Sequence, residues 1–185
     1  MERAQAGEII AAHGADLRVL IGGHDIERRL DEMAAELEPL VDWREAFVVV
    51  ALKGAVIFAA DLLRRLPPVD SVDFVQARSY GAGTTSSGHV RLLRDTELPV
   101  DGRSVVLLDD IADTGLTSSF LRDHLLSRGA DGVRVVTMLD KPARRRVPLD
   151  LLATGFEIGD DFVVGYGLDY GERFRTLPFV AVLTG

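Results

Sequence analysis

The 185-residue chain contains no cysteine and no asparagine, and only two of its 21 basic residues are lysines. Without cysteine the chain forms neither disulfides nor thiolate metal sites, and without asparagine it has no acceptor for N-glycosylation. No apolar run approaches the length of a membrane span, and Met1 to Gln5 lack the apolar core of a signal peptide. We therefore expect a cytoplasmic protein that has no membrane partner.

The formal net charge is −8, which argues against broad nucleic-acid binding because such binding needs a basic face. An anionic small molecule is not excluded, since local loops and metal ions set the potential of a site. The length predicts one domain over 1–185 with a substantial core. We expect its partners to be small molecules rather than nucleic acid.

Strand and helix patterns alternate along the chain without an internal repeat. Such alternation predicts an α/β fold with a mainly parallel sheet flanked by helices, and ligands in such sheets bind at the carboxyl ends of the strands. Buried strands are predicted at 18–21, 47–52, 72–77, 90–93, 105–108 and 133–139, and helices at 25–37, 55–66 and 118–128.

The most informative segment runs from Val105 to Ser119. Four apolar residues predict a buried strand, and three acids follow within five residues, at Asp109, Asp110 and Asp113. A small-residue loop then leads into a helix, whose free N–H groups and dipole form a phosphate cradle. Acids beside a phosphate cradle suit a ligand that also carries hydroxyls or a divalent cation. A ribose 5-phosphate with a magnesium-bound pyrophosphate meets both conditions.

This segment resembles the 5-phosphoribosyl-1-pyrophosphate (PRPP) motif of the phosphoribosyltransferases. The resemblance implies that Asp109 and Asp110 face the ribose hydroxyls and that Asp113 acts as general acid/base at purine N7. The 5-phosphate would be wrapped by the loop residues Asp113, Thr114, Gly115, Leu116 and Thr117.

The two lysines, Lys53 and Lys141, both follow predicted buried strands. Since the chain otherwise uses arginine, lysine at these positions indicates sites that need a compact charge with three donors rather than a forked guanidinium. Around them the chain resembles the hypoxanthine-guanine phosphoribosyltransferases. Lys53 and Gly54 match that family's pyrophosphate loop, which commonly has a cis peptide before the lysine, and Arg175 matches an arginine that reaches pyrophosphate. Lys141 matches the lysine that donates to the purine 6-oxo group.

The same resemblance covers roughly residues 18–183. It implies that Phe162 stacks on the purine, that Val163 meets the base through backbone groups, and that Asp169 lies at the base and helps Asp109 and Asp110 to hold Mg²⁺. Ser79 and Tyr80, at the start of the flexible stretch 79–88, would form a lid. Gly159 stands where the family often has proline, and Ala112 replaces a larger aliphatic residue.

The resemblance implies a type I phosphoribosyltransferase fold with a small hood from about 1–22 and 150–185. It implies transfer of phosphoribosyl from PRPP to N9 of hypoxanthine or guanine in purine salvage, and a homodimer or homotetramer. Two alternatives are a non-catalytic purine- or RNA-binding regulator on the same fold and a phospho-acceptor signalling domain. The set Lys53, Asp113, Lys141 and Asp169 argues against the first, and the clustering of the acids on one strand argues against the second.

Overall fold

A computed structural model of the chain describes residues 16–80 and 89–184. Within these ranges a six-stranded sheet has the order β4-β3-β2-β5-β6-β7, and a three-stranded sheet has the order β1-β9-β8. The larger sheet is parallel except for the edge pair β3–β4. Its strands are β2 (Phe47–Leu52), β3 (Ser71–Tyr80), β4 (His89–Arg94), β5 (Ser104–Ala112), β6 (Gly132–Asp140) and β7 (Leu151–Glu157). The predicted α/β fold with a mainly parallel sheet is confirmed.

Helices cover both faces of the larger sheet, and alternating residues of β2 show how. Val48 and Val50 pack into the cluster that contains α1 (Gly23–Leu37) and α2 (Val56–Leu63), whereas Phe47 and Val49 pack with α3 (Leu116–Ser127). Strands buried on both faces read as continuous apolar runs, as β2 does. No helix of the described residues is long and apolar enough to cross a membrane.

The smaller sheet is antiparallel and joins the two ends of the described chain. It consists of β1 (Leu17–Ile21), β8 (Val163–Val164) and β9 (Val180–Leu183). It has its own apolar cluster, which includes Val164 and Phe179. We expected a hood from 1–22 and 150–185. Residues 1–15 lie outside the described ranges, and β7 belongs to the larger sheet, where it pairs with β6.

Two strands, β5 and β3, extend by three or more residues beyond the predicted carboxyl end, whereas the ends of the other predicted strands differ by at most one residue. β5 continues through the acids to Ala112, because Asp109, Ile111 and Ala112 still pair with β6. β3 extends to Tyr80 because the edge pairing with β4 continues to that residue, so Ser79 and Tyr80 lie in a strand. The rest of the predicted lid, residues 81–88, lies outside the described residues.

The topology brings three strand ends together. β2, β5 and β6 are neighbours and run in parallel, so their carboxyl ends meet at one edge of the sheet. Lys53 follows β2, the acids lie at the end of β5, and Lys141 follows β6. Residues far apart in sequence therefore converge on one site, as expected for a sheet of this kind.

Candidate active site

Two adjoining cavities lie at this edge of the sheet, and Asp109, Asp110, Ser79 and Thr117 line both of them. The first cavity has a volume of about 770 Å³, and the second has a volume of about 470 Å³. The first is lined by loop and base candidates, namely Asp113, Thr114, Gly115, Lys141 and Phe162. The second is lined by pyrophosphate candidates, namely Lys53, Gly54, Asp169 and Arg175. The acid pair thus stands between the two groups of residues.

In the acid pair, Asp109 is buried inside the fold and Asp110 beside it is half-buried. Asp109 is 5% exposed, and its Oδ2 accepts a hydrogen bond from the Ser118 hydroxyl of α3 at 2.6 Å. Burial raises the pKa of Asp109, and burial together with the neighbouring Asp109 carboxylate raises the pKa of Asp110 well above its ordinary value. Desolvation of a carboxylate lowers the free energy of unfolding, so it does not help the fold. Acids with raised pKa values are therefore typical of functional sites.

The loop after β5 leads directly into α3. Its cap residue, Gly115, has φ +80° and no side chain to accept from the first N–H groups of the helix. A Cβ at Gly115 would lie 2.9 Å from Arg145 Cδ and 3.2 Å from the Val147 carbonyl oxygen. Glycine is therefore required here both by conformation and by space. The open helix N-terminus between Asp113 and Thr117 is suited to an anion such as a phosphate.

Asp113 is held by an arginine that the sequence analysis did not select. Its Oδ1 accepts a hydrogen bond from Arg144 Nε at 2.6 Å, and the same guanidinium also binds the Asp160 carboxylate. Arg144 thus connects the loop after β5 to the residues that precede Phe162. The neighbouring Arg145 donates to the carbonyl oxygens of Ala112 and Asp113 at 3.0 and 2.9 Å and fixes the backbone of the loop.

Lys141 and Phe162 form the other wall of the first cavity. Lys141 is 5% exposed, and its Nζ donates to the Asp161 carbonyl oxygen at 2.6 Å. Desolvation lowers the pKa of Lys141. The Phe162 ring is 55% exposed and contacts Tyr170 edge to face, with ring centroids 5.8 Å apart. An exposed aromatic face beside a buried ammonium can stack on a flat ring and donate to its edge. Val163 follows in β8 and is buried.

The second cavity has a tight backbone at Gly54. The Leu52–Lys53 peptide is cis, as the resemblance implied. A Cβ at Gly54 would fall 1.4 Å from Asp110 Oδ2, so only glycine lets the loop after β2 touch the acid pair. A Cβ at Gly167 would lie 2.0 Å from the Gly54 carbonyl oxygen. The loop is therefore packed between β5 and the segment that follows β8.

Arg175 and Asp169 pair on the far side of this cavity. Arg175 Nη2 lies 2.7 Å from Asp169 Oδ1, and Nη1 donates to the Gly167 carbonyl oxygen at 2.8 Å. Lys53 and Arg175 both contact Glu172, at 3.0 and 3.1 Å. Glu172 and Arg144 are two site residues that the sequence analysis missed. No local signal marked them, because Glu172 contacts Lys53 and Arg144 contacts Asp113, and both of these partners lie far away along the chain.

The carboxylates between the cavities fit a magnesium ion that is bound together with phosphate. Asp109 and Asp110 line both cavities and Asp169 lines the second. No group of three or more His, Asp or Glu side chains within 16–80 and 89–184 is arranged to hold a metal by itself. Mg²⁺ commonly takes one or two carboxylates and completes its shell with water and substrate phosphates. The oxygen donors therefore fit a metal that is shared with an anionic ligand.

Comparisons with known proteins agree with this geometry. A family model described as "Phosphoribosyl transferase domain" matches residues 22–171. The hypoxanthine-guanine phosphoribosyltransferase of Aquifex aeolicus is 44% identical over 168 residues, which is 90% of this chain and 94% of that protein. The bifunctional protein TilS/HprT of Listeria innocua is 42% identical over 171 residues, 92% of this chain; this chain spans only 26% of that relative's length.

A solved structure is also similar over nearly its whole length. The crystal structure of a hypoxanthine phosphoribosyltransferase from Staphylococcus aureus superimposes with a TM-score of 0.87 at 35% identity, covering 94% of this chain and 95% of that one. The fold agrees with that solved structure, and the sequence agrees with these relatives over most of the chain. The chain belongs to the phosphoribosyltransferase family, among the hypoxanthine-guanine phosphoribosyltransferases.

Proposed function

We propose that the protein transfers the 5-phosphoribosyl group from PRPP to N9 of hypoxanthine or guanine, releasing pyrophosphate, in purine salvage. The observation that carries the proposal is the acid pair Asp109–Asp110 between two cavities. One cavity has the open N-terminus of α3 and a wall formed by Lys141 and Phe162, and the lining of the other includes Lys53 and Arg175. One substrate that carries a phosphate, ribose hydroxyls and a pyrophosphate would occupy both cavities at once. The family membership and the names of the relatives support the same reaction.

The PRPP end of the reaction is assigned from the acid pair and the loop after it. Asp109 and Asp110 accept hydrogen bonds from the ribose hydroxyls, and the N–H groups at the start of α3 bind the 5-phosphate. Lys53, Gly54 and Arg175 bind the pyrophosphate as its charge grows in an oxocarbenium-like transition state. Bound Mg²⁺, held by Asp169 or by the acid pair, supplies further neutralisation of the pyrophosphate charge.

The purine end is assigned from the wall of the first cavity. Phe162 stacks on the base, the backbone around Val163 meets its edge, and Lys141 donates to the 6-oxo group. Asp113 accepts or returns a proton at purine N7, which adjusts the basicity of the attacking N9. Its Oδ2 remains for this task, while Oδ1 is bound to Arg144. We also propose that Ser79 and Tyr80 help to close the site, because an activated ribose must be shielded from water.

We propose a single domain in which the β1-β9-β8 sheet forms the hood. The segment from Asp160 to Val164 links this sheet to the first cavity, where Asp160 and Phe162 contribute to the lining. We expect a cytoplasmic homodimer or homotetramer, and light scattering on the purified protein measures the assembly directly.

Steady-state kinetics tests the reaction. PRPP is offered with hypoxanthine, guanine, xanthine or adenine, and release of pyrophosphate and formation of nucleotide are measured separately. We expect stoichiometric product from hypoxanthine or guanine. Absence of nucleotide from all three 6-oxopurines, in protein shown to be folded, would overturn the proposal and favour the non-catalytic regulator.

A further inference from the structure

Glu172 lies between Lys53 and Arg175, two of the cations that line the second cavity. Its Oε1 lies 3.0 Å from Lys53 Nζ, and its Oε2 lies 3.1 Å from Arg175 Nη2. Each carboxylate oxygen is thus bound to a different cation. Lys53 follows β2 and Arg175 lies in the chain after β8, so the Glu172 carboxylate connects these two parts of the fold.

The backbone of Glu172 is fixed so that its side chain stays at this place. Its N–H donates to Asp169 Oδ2 at 2.8 Å, and Tyr170 pairs with Arg173 across the turn that contains it. Lys53 and Arg175 lower the pKa of Glu172, so the carboxylate is charged at neutral pH. The side chain is nevertheless 64% exposed. It can therefore turn into solvent without disturbing the packed core.

A pyrophosphate in this cavity needs the same two cations. A carboxylate presents one negative charge on two oxygens, whereas pyrophosphate presents several charges on more oxygens. Pyrophosphate therefore displaces the Glu172 carboxylate from the two cations when it binds, and the carboxylate binds them again when pyrophosphate leaves. The competition lowers the net affinity for pyrophosphate, since binding must first break two existing ion pairs.

Building on the proposed function, we propose that Glu172 is an internal competitor of pyrophosphate, which holds Lys53 and Arg175 in place in the free site and promotes release of the leaving group. Glu172 is then a residue of the pyrophosphate site that sets product affinity. It touches both binding cations without belonging to the set that the family resemblance assigned. The proposal predicts that removing its charge tightens pyrophosphate binding, the opposite of what a supporting ligand residue would do.

The test is direct calorimetric titration with inorganic pyrophosphate, with and without Mg²⁺, on the wild type and on Glu172→Gln. Exposed ion pairs are individually weak, so we expect the dissociation constant to fall by about two- to twentyfold. The glutamine keeps the size of the side chain and removes its charge. Glu27→Gln is the matched control, because Glu27 is an exposed glutamate on α1 that lines neither site cavity; we expect no change in that variant.

A second measurement is product inhibition of turnover by pyrophosphate, where Glu172→Gln should show an inhibition constant lowered by a similar factor. An unchanged or larger dissociation constant for pyrophosphate in Glu172→Gln overturns the role of Glu172. If the wild-type protein still converts PRPP and hypoxanthine to nucleotide, the proposed function stands in that case. If neither protein binds pyrophosphate and the wild type makes no nucleotide, the proposed function is overturned as well.

Discussion

Replacement of Lys141 by methionine should weaken the discrimination between hypoxanthine and adenine. Lys141 is 5% exposed, and its ammonium donates one hydrogen bond to the Asp161 carbonyl oxygen at 2.6 Å. Its remaining hydrogens are available to the cavity that it lines with Phe162. An ammonium has no acceptor, so it pairs with the 6-oxo group of hypoxanthine and opposes the 6-amino group of adenine. Methionine fills a similar space and removes the donor.

The size of the effect follows from the burial of this group. A site that is built for one hydrogen-bond pattern rejects an analogue that leaves its buried groups unpaired. The ratio of the kcat/KM values is then about 10⁴, which corresponds to about 5.6 kcal/mol at 1.4 kcal/mol per tenfold. A hydrogen bond to a charged group contributes about 1.5–3 kcal/mol. We therefore expect Lys141→Met to lower kcat/KM for hypoxanthine by about 10- to 200-fold with little change for adenine. The preference should fall to about 10²–10³.

The assay compares kcat/KM for hypoxanthine and adenine at saturating PRPP. Lys53→Met is the matched control, because Lys53 is the other lysine of the chain and lines the second cavity rather than the first. That variant should lower turnover with both bases and leave their ratio unchanged. Lys141→Arg should not restore the preference, because a planar fork does not fit the place of a point charge. Use of adenine by the wild type within tenfold of hypoxanthine, or an unchanged ratio in Lys141→Met, refutes the assignment.

Three further outcomes are expected. Asp113→Asn keeps an oxygen for Arg144 but removes the proton acceptor, so kcat should fall by about 10²–10⁴ with PRPP affinity nearly unchanged; lost affinity at constant kcat would contradict the role. Excess chelator should abolish turnover and added Mg²⁺ should restore it; full activity in chelator would remove the metal from the reaction. Because the pKa of Asp110 is raised in the fold, the folded protein binds more protons than the unfolded chain at pH values above 3.8, the ordinary pKa of the group. The free energy of unfolding therefore declines as the pH rises through the folded pKa. Asp110→Asn should remove this decline and raise Tm at pH 7, by about 2–4 °C for each kcal/mol gained; a lower Tm at pH 7 would contradict it.

The fold was largely predictable because its strands are continuous apolar runs with clear ends. β2 and the first half of β5 are buried on both faces, so the sequence itself carries the signal. The end of β5 was not predictable from polarity, since Asp109 and Asp110 remain in the strand. The pairing of Asp109, Ile111 and Ala112 with β6 is a tertiary contact that overrides the local preference of acids for loops. The same reason accounts for Ser79 and Tyr80, which the edge pairing with β4 keeps extended.

The site divides in the same way. Residues at strand ends, such as Lys53 and Lys141, could be selected because topology places strand ends together. Arg144 and Glu172 could not, because each acts through a partner far along the chain: Asp113 is 31 residues from Arg144, and Lys53 is 119 residues from Glu172. A run of three arginines at 144–146 looks like an exposed basic face until the fold brings it against the loop after β5.

The ion pairs of the free site explain how a chain of net negative charge can hold an anionic substrate. Two cations that line the cavities already have internal carboxylate partners: Arg144 has Asp113 and Asp160, and Arg175 has Asp169 and Glu172. A substrate phosphate that binds these cations therefore replaces their carboxylate partners and does not meet unpaired positive charge. The carboxylates bind the cations again when the phosphate leaves. Within the described residues the acid pair Asp109–Asp110 has no such cation among its hydrogen-bond partners. Its charge is stabilised further when hydroxyls or a metal ion arrive, so the pair costs stability in the free protein and favours binding of the complete substrate.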